Sequence, residues 1–334
     1  MQDQLLFVIS SPRSGSTLLQ RMLGSHSRIF THPEPHMLTP LAYLGYHDTV
    51  DKAPYDHINA AEAIREFVSG LPNGEADYLD AVRAYTDTMY GRMLATSGKR
   101  MFLDKTPAYA LVADFVAKLY PKARYVVLTR HPLAVLSSFA NTFFEGDYAR
   151  AHDFNPILER YVPAIAKFIR SRPAPMIVVR YEDLVRDPGR WLEEMFEFCG
   201  LEHEESAIEY GKHDHIKKSF GDPVTVNKHD RPMTEAVEKW ATELATDPAK
   251  LELSRRIIDS IDPADLETWG YGAAELWAPL ERGGNGQKPA PPPLLNTYRL
   301  KRQIILALKK DIHENQLGKA VKKVRYFCDV LLRE

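Results

Sequence analysis

Apolar residues along the chain follow two patterns, and each pattern predicts one kind of element. Short continuous apolar runs predict buried parallel strands at residues 5–9, 124–128 and 176–179, with a further strand at 100–103. Apolar residues at helical spacing predict helices at 109–119, 133–142, 157–169, 188–199 and 257–266. Because strands alternate with helices, we expect an α/β fold, a parallel sheet with helices on both faces. Such sheets bind ligands at the carboxyl ends of their strands.

The 334 residues divide by pattern into one large domain and a tail. The α/β domain is predicted over residues 1–280, with a helical insertion at about 36–100 where no strand pattern appears. Glycine and proline dominate residues 281–297, which are predicted to form a linker. The remaining segment, 298–334, is predicted to be a basic helical tail.

The tail carries ten basic and four acidic residues, a net charge of +6. Its apolar residues fall on two helical stripes, so one interpretation is a helix pair that packs on the domain or on a second subunit of a homo-oligomer. The other interpretation is an electrostatic docking segment for a membrane surface, an anionic glycan or an acidic partner. The sequence leaves both interpretations open.

Composition narrows the classes of function. The whole chain has a formal net charge of only −2, which argues against general nucleic-acid binding. Its two cysteines, Cys199 and Cys328, form neither a disulfide framework nor a metal-ligand pattern. The first apolar run is too short for the core of a signal peptide, and no stretch reaches ~18 uninterrupted apolar residues. We therefore expect a cytoplasmic protein.

The turn between the first strand and the first helix has the chemistry of an anion site. Amides at a helix N-terminus carry partial positive charge, and Gly15 lets an anion approach the backbone closely. The turn lacks the GxxxxGK[ST] pattern of nucleotide kinases and ATPases. A tight turn with a solvated arginine is the alternative interpretation. The side chains that would add hydrogen-bond donors are Arg13, Ser14, Ser16 and Thr17.

A second anion site is predicted at the end of another strand. Arg130 follows the strand at 124–128, and Ser138 lies eight residues later, about two turns along the next helix. An arginine and a serine in these positions can hold one phosphate together. Alone, the pattern also fits a surface arginine and a buried serine. Combined with the first turn, it predicts a ligand with two separate anionic groups.

Both motifs resemble those of sulfotransferases that use 3′-phosphoadenosine-5′-phosphosulfate as donor. Residues 12–19 (PRSGSTLL) resemble the family's 5′-phosphosulfate loop, most closely in the branch of tyrosylprotein and many bacterial enzymes. Other branches usually carry lysine at the position of Arg13. Arg130 and Ser138 resemble the 3′-phosphate motif, and Tyr181 resembles a strand tyrosine that lies near the adenine. The resemblance implies a P-loop-like sheet and metal-free sulfuryl transfer to an acceptor hydroxyl by in-line displacement.

The resemblance also implies a catalytic set of Arg13, Glu34 and Lys105. Glu34 lies 21 residues after Arg13, the interval between loop arginine and proposed base in the tyrosylprotein branch, so Glu34 is the expected base. His32 and His36 flank it and are rival bases, because histidine titrates near neutral pH. Lys105 resembles the lysine of the family's Lys-x-Pro segment, which reaches the transferring group.

The segment from 221 to 240 departs from the family pattern, because Val237-Glu238-Lys239-Trp240 stands where relatives often show an arginine-rich string. Lys228 and Arg231 are candidate phosphate contacts in this segment. The histidines at 213, 215 and 229 fit no common zinc spacing, so no metal site is expected.

Two alternatives to a sulfotransferase stay open on sequence. The first is a nucleotide kinase or another P-loop phosphotransferase, which the missing glycine-lysine pair disfavours. The second is a non-catalytic nucleotide-binding protein. For a sulfotransferase, the sequence does not say whether the acceptor is a sugar, phenol, lipid, peptide or small metabolite.

Overall fold

A five-stranded parallel sheet organises the chain. The computed structural model describes residues 1–50, 57–213, 229–235, 237–281, 320 and 324. The order in the sheet is β2-β3-β1-β4-β5, so the central β1 has β3 on one side and β4 on the other. The predicted α/β fold is confirmed, while nearly all of the linker and of the tail lies outside the described residues. The strands are β1 Leu5–Ser10, β2 Ile29–Pro33, β3 Met101–Lys105, β4 Arg124–Thr129 and β5 Met176–Arg180.

Helices connect and cover these strands, and α2, α3 and α4 lie between β2 and β3. The α-helices are α1 Ser16–Gly24, α2 Leu38–Ala42, α3 His57–Ser69, α4 Glu75–Ala95, α5 Ala113–Leu119, α6 Pro132–Phe143, α7 Tyr148–Phe154, α8 Ile157–Ser171, α9 Tyr181–Arg186, α10 Pro188–Cys199, α11 Lys239–Thr246, α12 Pro248–Asp259, α13 Pro263–Trp269, α14 Ala273–Leu276 and α15 Ala278–Glu281. Short 3-10 helices are formed by Gln2–Gln4, Pro107–Val112, Glu205–Ile208 and Tyr210–Lys212.

Two apolar cores lie on the two faces of the sheet, because successive side chains of a strand point to opposite faces. In β1, Leu5, Phe7 and Ile9 pack into a core with α4, α5, α6 and α8. Leu6 and Val8 pack into the other core, with α1, α9 and α10. All six residues of β1 are buried. Burial on both faces explains why β1 is a continuous apolar run in the sequence.

Strand β2 is absent from the elements that the sequence pattern predicts. It contains His32 and ends in Pro33, which weakens its strand signal. β2 is an edge strand that pairs with β3 alone, and an edge position tolerates a proline because one side of the strand makes no ladder hydrogen bonds. The consequence is functional, since Glu34 follows a strand rather than the first helix. It therefore lies at the carboxyl edge of the sheet.

Three other predicted elements differ from the structure. The helix expected at 109–119 is divided into the 3-10 helix Pro107–Val112 and α5. The pattern places Tyr181 in a strand, but β5 ends at Arg180 and Tyr181 is the first residue of α9. The single helix expected at 257–266 is wrong, because it is divided between α12 and α13. The division occurs at Asp262, whose side chain accepts a hydrogen bond from the Ala264 amide at 2.9 Å, and Pro263 begins the new helix.

Candidate active site

The turn between β1 and α1 places helix amides at the carboxyl end of the central strand. Arg13 and Gly15 have positive φ angles of 68° and 88°, and Gly15 is the N-cap of α1. The first amides of a helix have no acceptor within it, so this turn offers them to an anion. Ser14 is buried and its Oγ lies 2.6 Å from Ser11 Oγ, so this hydroxyl contributes to the turn itself.

Glycine is required at position 15 by space as well as by conformation. A Cβ atom at this position would lie 2.6 Å from Cε2 of Tyr181, so the tyrosine ring packs directly on the backbone of the turn. A φ of 88° also favours glycine. The guanidinium carbon of Arg130 lies 4.4 Å from the centroid of the same ring. Tyr181 thus contacts both predicted anion sites.

Hydrogen bonds join the two predicted anion sites directly. Arg13 Nε donates to Ser138 Oγ at 3.2 Å, and Arg130 Nη1 donates to the carbonyl oxygen of Arg13 at 3.0 Å. Trp269 Nε1 donates to the carbonyl oxygen of Arg130 at 2.8 Å, which holds the chain where β4 ends. Arg130 is only 9% exposed. The sequence predicts that Ser138 binds one phosphate together with Arg130. In the structure Ser138 hydrogen-bonds to Arg13, and it lines one cavity together with Arg130.

One cavity of ≈ 200 Å³ lies against this constellation, and we call it the donor cavity. Ser14, whose hydroxyl faces Ser11, is not in its lining. The sequence-predicted residues that line the donor cavity are Arg13, Gly15, Ser16, Thr17, Arg130, Ser138 and Tyr181.

Later segments of the chain complete the donor cavity. Arg231, a candidate from the sequence, lines it, while Lys228 lies outside the described residues. Tyr210 and Lys239 also line the cavity, and no sequence motif predicted either residue. Lys239 is the first residue of α11, beside the buried Trp240, so a cation immediately before the tryptophan is a signal that could have found it.

A second cluster lies where β2 and β3 end, and we call it the Glu34–Lys105 pair. Pro33 is in register with Lys105, which brings the next residue, Glu34, beside it. Lys105 Nζ donates to Glu34 Oε1 at 2.5 Å and to Thr17 Oγ1 at 3.4 Å. The Lys105 side chain is fully buried, and that of Glu34 is 15% exposed. Because Thr17 belongs to the first turn of α1, the pair adjoins the turn between β1 and α1.

The two rival bases lie on either side of Glu34. His36 Nε2 is 3.7 Å from Glu34 Oε2, and its side chain is 45% exposed. His32 belongs to β2, and its Nδ1 lies 3.1 Å from the carbonyl oxygen of Pro33. Glu34 and His36 both have positive φ, 34° and 53°, which costs a non-glycine residue on the order of 1–3 kcal/mol. This uncommon backbone conformation occurs at the point where the Glu34 carboxylate contacts Lys105.

A buried carboxylate supports the pair from the opposite face of β3. Complete burial raises the pKa of Asp104 to about 6, although its hydrogen bonds and Lys105 oppose the rise. Tyr109 is one of the three hydroxyl donors to Asp104, and its Oη also accepts a hydrogen bond from the Leu38 amide at 3.1 Å, which ties β3 to the start of α2. The donors to Asp104 are the hydroxyls of Tyr90 at 2.6 Å, Thr106 at 2.9 Å and Tyr109 at 3.0 Å.

Metal ligands and membrane spans can be judged only over the described ranges. There, no three His, Cys, Asp or Glu side chains converge as a metal site would require, and of the three histidines discussed above, the one at position 215 lies outside these ranges. Of the helices described, none combines the length and apolar character needed to cross a bilayer.

Comparison with known proteins decides the family. The sequence profile of the sulfotransferase family matches residues 6–205, more than half of the chain. The chain belongs to the sulfotransferase family. The matched range contains every site residue predicted from Arg13 to Tyr181, so the resemblance seen in the two motifs is confirmed at the level of the family.

Curated relatives in this family are distant in sequence. Nodulation protein NoeE of Sinorhizobium fredii is 29% identical over 290 residues, which cover 80% of this chain and 66% of NoeE. An uncharacterised Aquifex aeolicus protein is 30% identical over 220 residues, 62% of this chain but 27% of that protein. A putative protein-tyrosine sulfotransferase of Caenorhabditis briggsae is 24% identical over 213 residues, covering 62% and 69% of the two chains. This chain thus spans less than two thirds of the first two relatives.

Two solved sulfotransferase domains share the fold. The domain from the Synechococcus PCC 7002 olefin synthase is 26% identical, with a TM-score of 0.50, and the match covers 77% of this chain and 95% of that one. The domain from the curacin biosynthetic pathway is also 26% identical, with a TM-score of 0.52 and coverage of 76% and 95%. Both agree with the parallel sheet flanked by helices described above.

Proposed function

We propose that this chain transfers a sulfuryl group from 3′-phosphoadenosine-5′-phosphosulfate to an acceptor hydroxyl, with Glu34 as the general base. The observation that carries the proposal is that the turn between β1 and α1 has cationic side chains on both of its sides. On one side Arg13 and Arg130 meet at the donor cavity, and on the other Thr17 contacts Lys105. A donor with a phosphate at one end and a phosphosulfate at the other requires cations in two such places.

The lining of the donor cavity supports a polyanionic nucleotide. In this proposal Arg130 and Ser138 hold the 3′-phosphate, while Arg13 and the first amides of α1 hold the 5′-phosphosulfate. The Tyr181 ring offers an aromatic surface for the adenine. The charged side chains of the lining are four cations and one acid, Arg13, Arg130, Arg231, Lys239 and Glu235, with His229 beside them.

The Glu34–Lys105 pair supplies the two chemical roles that the reaction needs. As the acceptor oxygen bonds to sulfur, the bond from sulfur to the bridging phosphate oxygen breaks, and adenosine 3′,5′-bisphosphate leaves. Glu34 takes the acceptor proton, and Lys105 stabilises negative charge on the sulfuryl and leaving oxygens. The contact between Lys105 and Glu34 supports this assignment, because it brings a proton acceptor and a cation to one point beside the loop. We also propose the cytoplasm as the site of action, because two cysteines give no disulfide framework.

A transfer assay with sulfur-labelled donor and a panel of sugar, phenol, lipid, peptide and metabolite acceptors tests the proposal, with products identified by mass spectrometry. We expect labelled product from the wild type, and ~10²-fold or greater loss of turnover in Arg13→Ala and Lys105→Ala. Phosphoryl transfer from ATP in place of sulfuryl transfer would identify a kinase. Binding of adenosine 3′,5′-bisphosphate without transfer to any acceptor class would identify a non-catalytic protein.

A further inference from the structure

The peptide group that joins Arg130 to His131 is held on both of its polar sides by buried side chains. Its carbonyl oxygen accepts a hydrogen bond from Trp269 Nε1 at 2.8 Å, and its N–H donates to Glu182 Oε1 at 3.1 Å. His131 is the N-cap of α6, where an amide has no acceptor within the helix, so Glu182 supplies the acceptor. Side chains of α9 and α13 thus fix the peptide at the point where β4 ends.

Glu182 is itself buried and held at both carboxylate oxygens. It is 4% exposed, and its Oε2 accepts a hydrogen bond from the hydroxyl of Tyr271, a residue 2% exposed. The guanidinium carbon of Arg180 lies 4.4 Å from the centroid of the Tyr271 ring and packs over it. A buried carboxylate needs its hydrogen-bond donors, so these contacts restrain the Glu182 side chain to one orientation. It can therefore hold the peptide after Arg130 in one place.

The residue at this peptide, Arg130, belongs to the donor cavity. Its Nη1 donates to the carbonyl oxygen of Arg13 at 3.0 Å, and its guanidinium carbon lies 4.4 Å from the centroid of the Tyr181 ring. Glu182 is not in the lining of the cavity, but it follows Tyr181 directly in α9. The start of α9 therefore presents a ring to the side chain of Arg130 and a carboxylate to its backbone.

We propose that Glu182 is a positioning residue for Arg130 and thereby sets the affinity of the donor cavity for a 3′-phosphate. The inference rests on the proposed function, which takes the ligand to be 3′-phosphoadenosine-5′-phosphosulfate. Without Glu182, the His131 amide and the Tyr271 hydroxyl would lose a buried acceptor, so the turn would shift to satisfy them. Hydrogen bonds from Arg130 to a phosphate depend on distance and angle, so a shifted turn would weaken them.

The first test measures the affinity of the full-length chain for two ligands by calorimetry, adenosine 3′,5′-bisphosphate and adenosine 5′-monophosphate. Glu182→Ala should weaken the bisphosphate about tenfold, because the arginine is displaced but still present. The monophosphate lacks the 3′-phosphate and should be little affected. Equal weakening of both ligands would overturn the proposal, because it would place the effect at the Tyr181 ring or in the fold as a whole.

The wild type separates the role of Glu182 from the proposed function on which it rests. A wild type that binds the bisphosphate no more tightly than the monophosphate would overturn both the donor assignment and the role of Glu182. A wild type that prefers the bisphosphate, with the same preference in Glu182→Ala, would overturn the role of Glu182 alone.

Two further variants separate positioning from a loss of stability. Glu182→Gln keeps an oxygen that can accept from the His131 amide, so it should retain most of the preference for the bisphosphate. Tyr271→Phe keeps the ring and removes the hydroxyl that holds Glu182, so it should weaken the bisphosphate less than Glu182→Ala does. Equal losses in Glu182→Gln and Glu182→Ala would overturn the proposal. If Glu182→Ala does not fold, Tyr271→Phe decides the question, and an unchanged preference there overturns it.

Glu204 offers a matched control away from the donor cavity. Its carboxylate also accepts from one backbone amide, that of Ser27 at 2.8 Å, and from one hydroxyl, that of the same serine, although it is more exposed than Glu182. Ser27 precedes β2, at the opposite edge of the sheet from the cavity. Glu204→Ala should therefore lose stability and keep its affinity for both ligands. A similar loss of bisphosphate affinity in Glu204→Ala and Glu182→Ala would overturn the proposal.

A double-variant cycle tests whether Glu182 acts through Arg130. Removal of Arg130 removes the group that Glu182 positions. In an Arg130→Ala background, Glu182→Ala should therefore cause no further loss of affinity for the bisphosphate. Additive losses would show that Glu182 affects the ligand by another route and would overturn the proposal.

Discussion

The donor cavity and the Glu34–Lys105 pair lie at the same edge of the sheet but are built in different ways. The cavity is open, and its arginines are held by a carbonyl oxygen, a hydroxyl and aromatic rings. The pair is closed, because the fully buried Lys105 meets its counter-charge within the protein. Donor binding can therefore use the side chains as they stand. In the proposed reaction Lys105 exchanges Glu34 for a new anionic partner, so binding and turnover should respond to different substitutions.

Turnover and donor affinity should differ most in their response to Glu34→Gln, which keeps the shape of the side chain and removes the proposed base. An alcohol that keeps its hydroxyl proton is a poor nucleophile, so turnover on a hydroxyl acceptor should fall by ~10²–10⁴-fold. Affinity for adenosine 3′,5′-bisphosphate, measured by calorimetry, should stay near that of the wild type. The loss should be smaller with a phenol acceptor, whose proton leaves more easily.

His32→Asn and His36→Asn are the matched controls for this substitution. Both histidines lie within two residues of Glu34, and both variants should retain most of the activity. If Glu34→Gln were fully active and either histidine variant inactive, the base would be a histidine.

The next largest effect concerns Asp104, which supports the Glu34–Lys105 pair, and it is expected in the free energy of unfolding. The pKa of Asp104 is raised from 3.8 to about 6 in the folded protein. The folded state therefore binds this proton more tightly than the unfolded state does. The resulting stabilisation is complete below about pH 4 and is lost as the pH rises through about 6, a change of about 3 kcal/mol.

Asp104→Asn removes this titration, so the free energy of unfolding of the variant should rise relative to wild type between pH 4 and pH 7. Denaturant titrations at several pH values measure the difference. Asp77→Asn is the control that should show no such change between pH 4 and pH 7, because hydrogen bonds from Asn73 lower the pKa of Asp77 below its ordinary value of 3.8. A difference between wild type and Asp104→Asn that does not change with pH would show that Asp104 does not titrate in this range.

Much of the site at this edge of the sheet could be predicted because it obeys a local rule. Arg13, Lys105 and Arg130 each end a strand or follow one closely, and parallel strands end at a common edge. Residues that follow predicted strands therefore meet, whatever the details of the loops. The turn chemistry of residues 12–17 is equally local.

What the sequence could not supply depends on tertiary packing. The hydrogen bond from Lys105 to Glu34 depends on β2, an edge strand with a weak pattern. Tyr210 and Lys239 reach the donor cavity from segments far along the chain, where no strand rule applies. The family resemblance assigned a role to Glu34, but its contact with Lys105 follows only from the register of β2 on β3.

The donor side has a selective test in Arg130→Ala. Loss of charged hydrogen bonds to the 3′-phosphate should weaken adenosine 3′,5′-bisphosphate by about 10- to 100-fold. Adenosine 5′-monophosphate lacks that phosphate and should be much less affected. Calorimetric titration with both ligands measures the difference, and equal weakening of the two would refute the assignment of Arg130.

The smallest effect is expected for Gly15→Ala, and Gly98→Ala is its matched control. Both glycines have positive φ, 88° and 63°, so alanine should cost each about 1 kcal/mol of stability through the backbone. Only at Gly15 would the new methyl group also meet the Tyr181 ring, since nothing lies within 4 Å of a Cβ at Gly98. Displacing that ring moves the aromatic partner of Arg130. We therefore expect Gly15→Ala to lose more stability than Gly98→Ala, and Gly15→Ala alone to bind adenosine 3′,5′-bisphosphate about tenfold more weakly. Equal affinities in the two variants would show that the packing of Tyr181 on the loop does not shape the donor cavity.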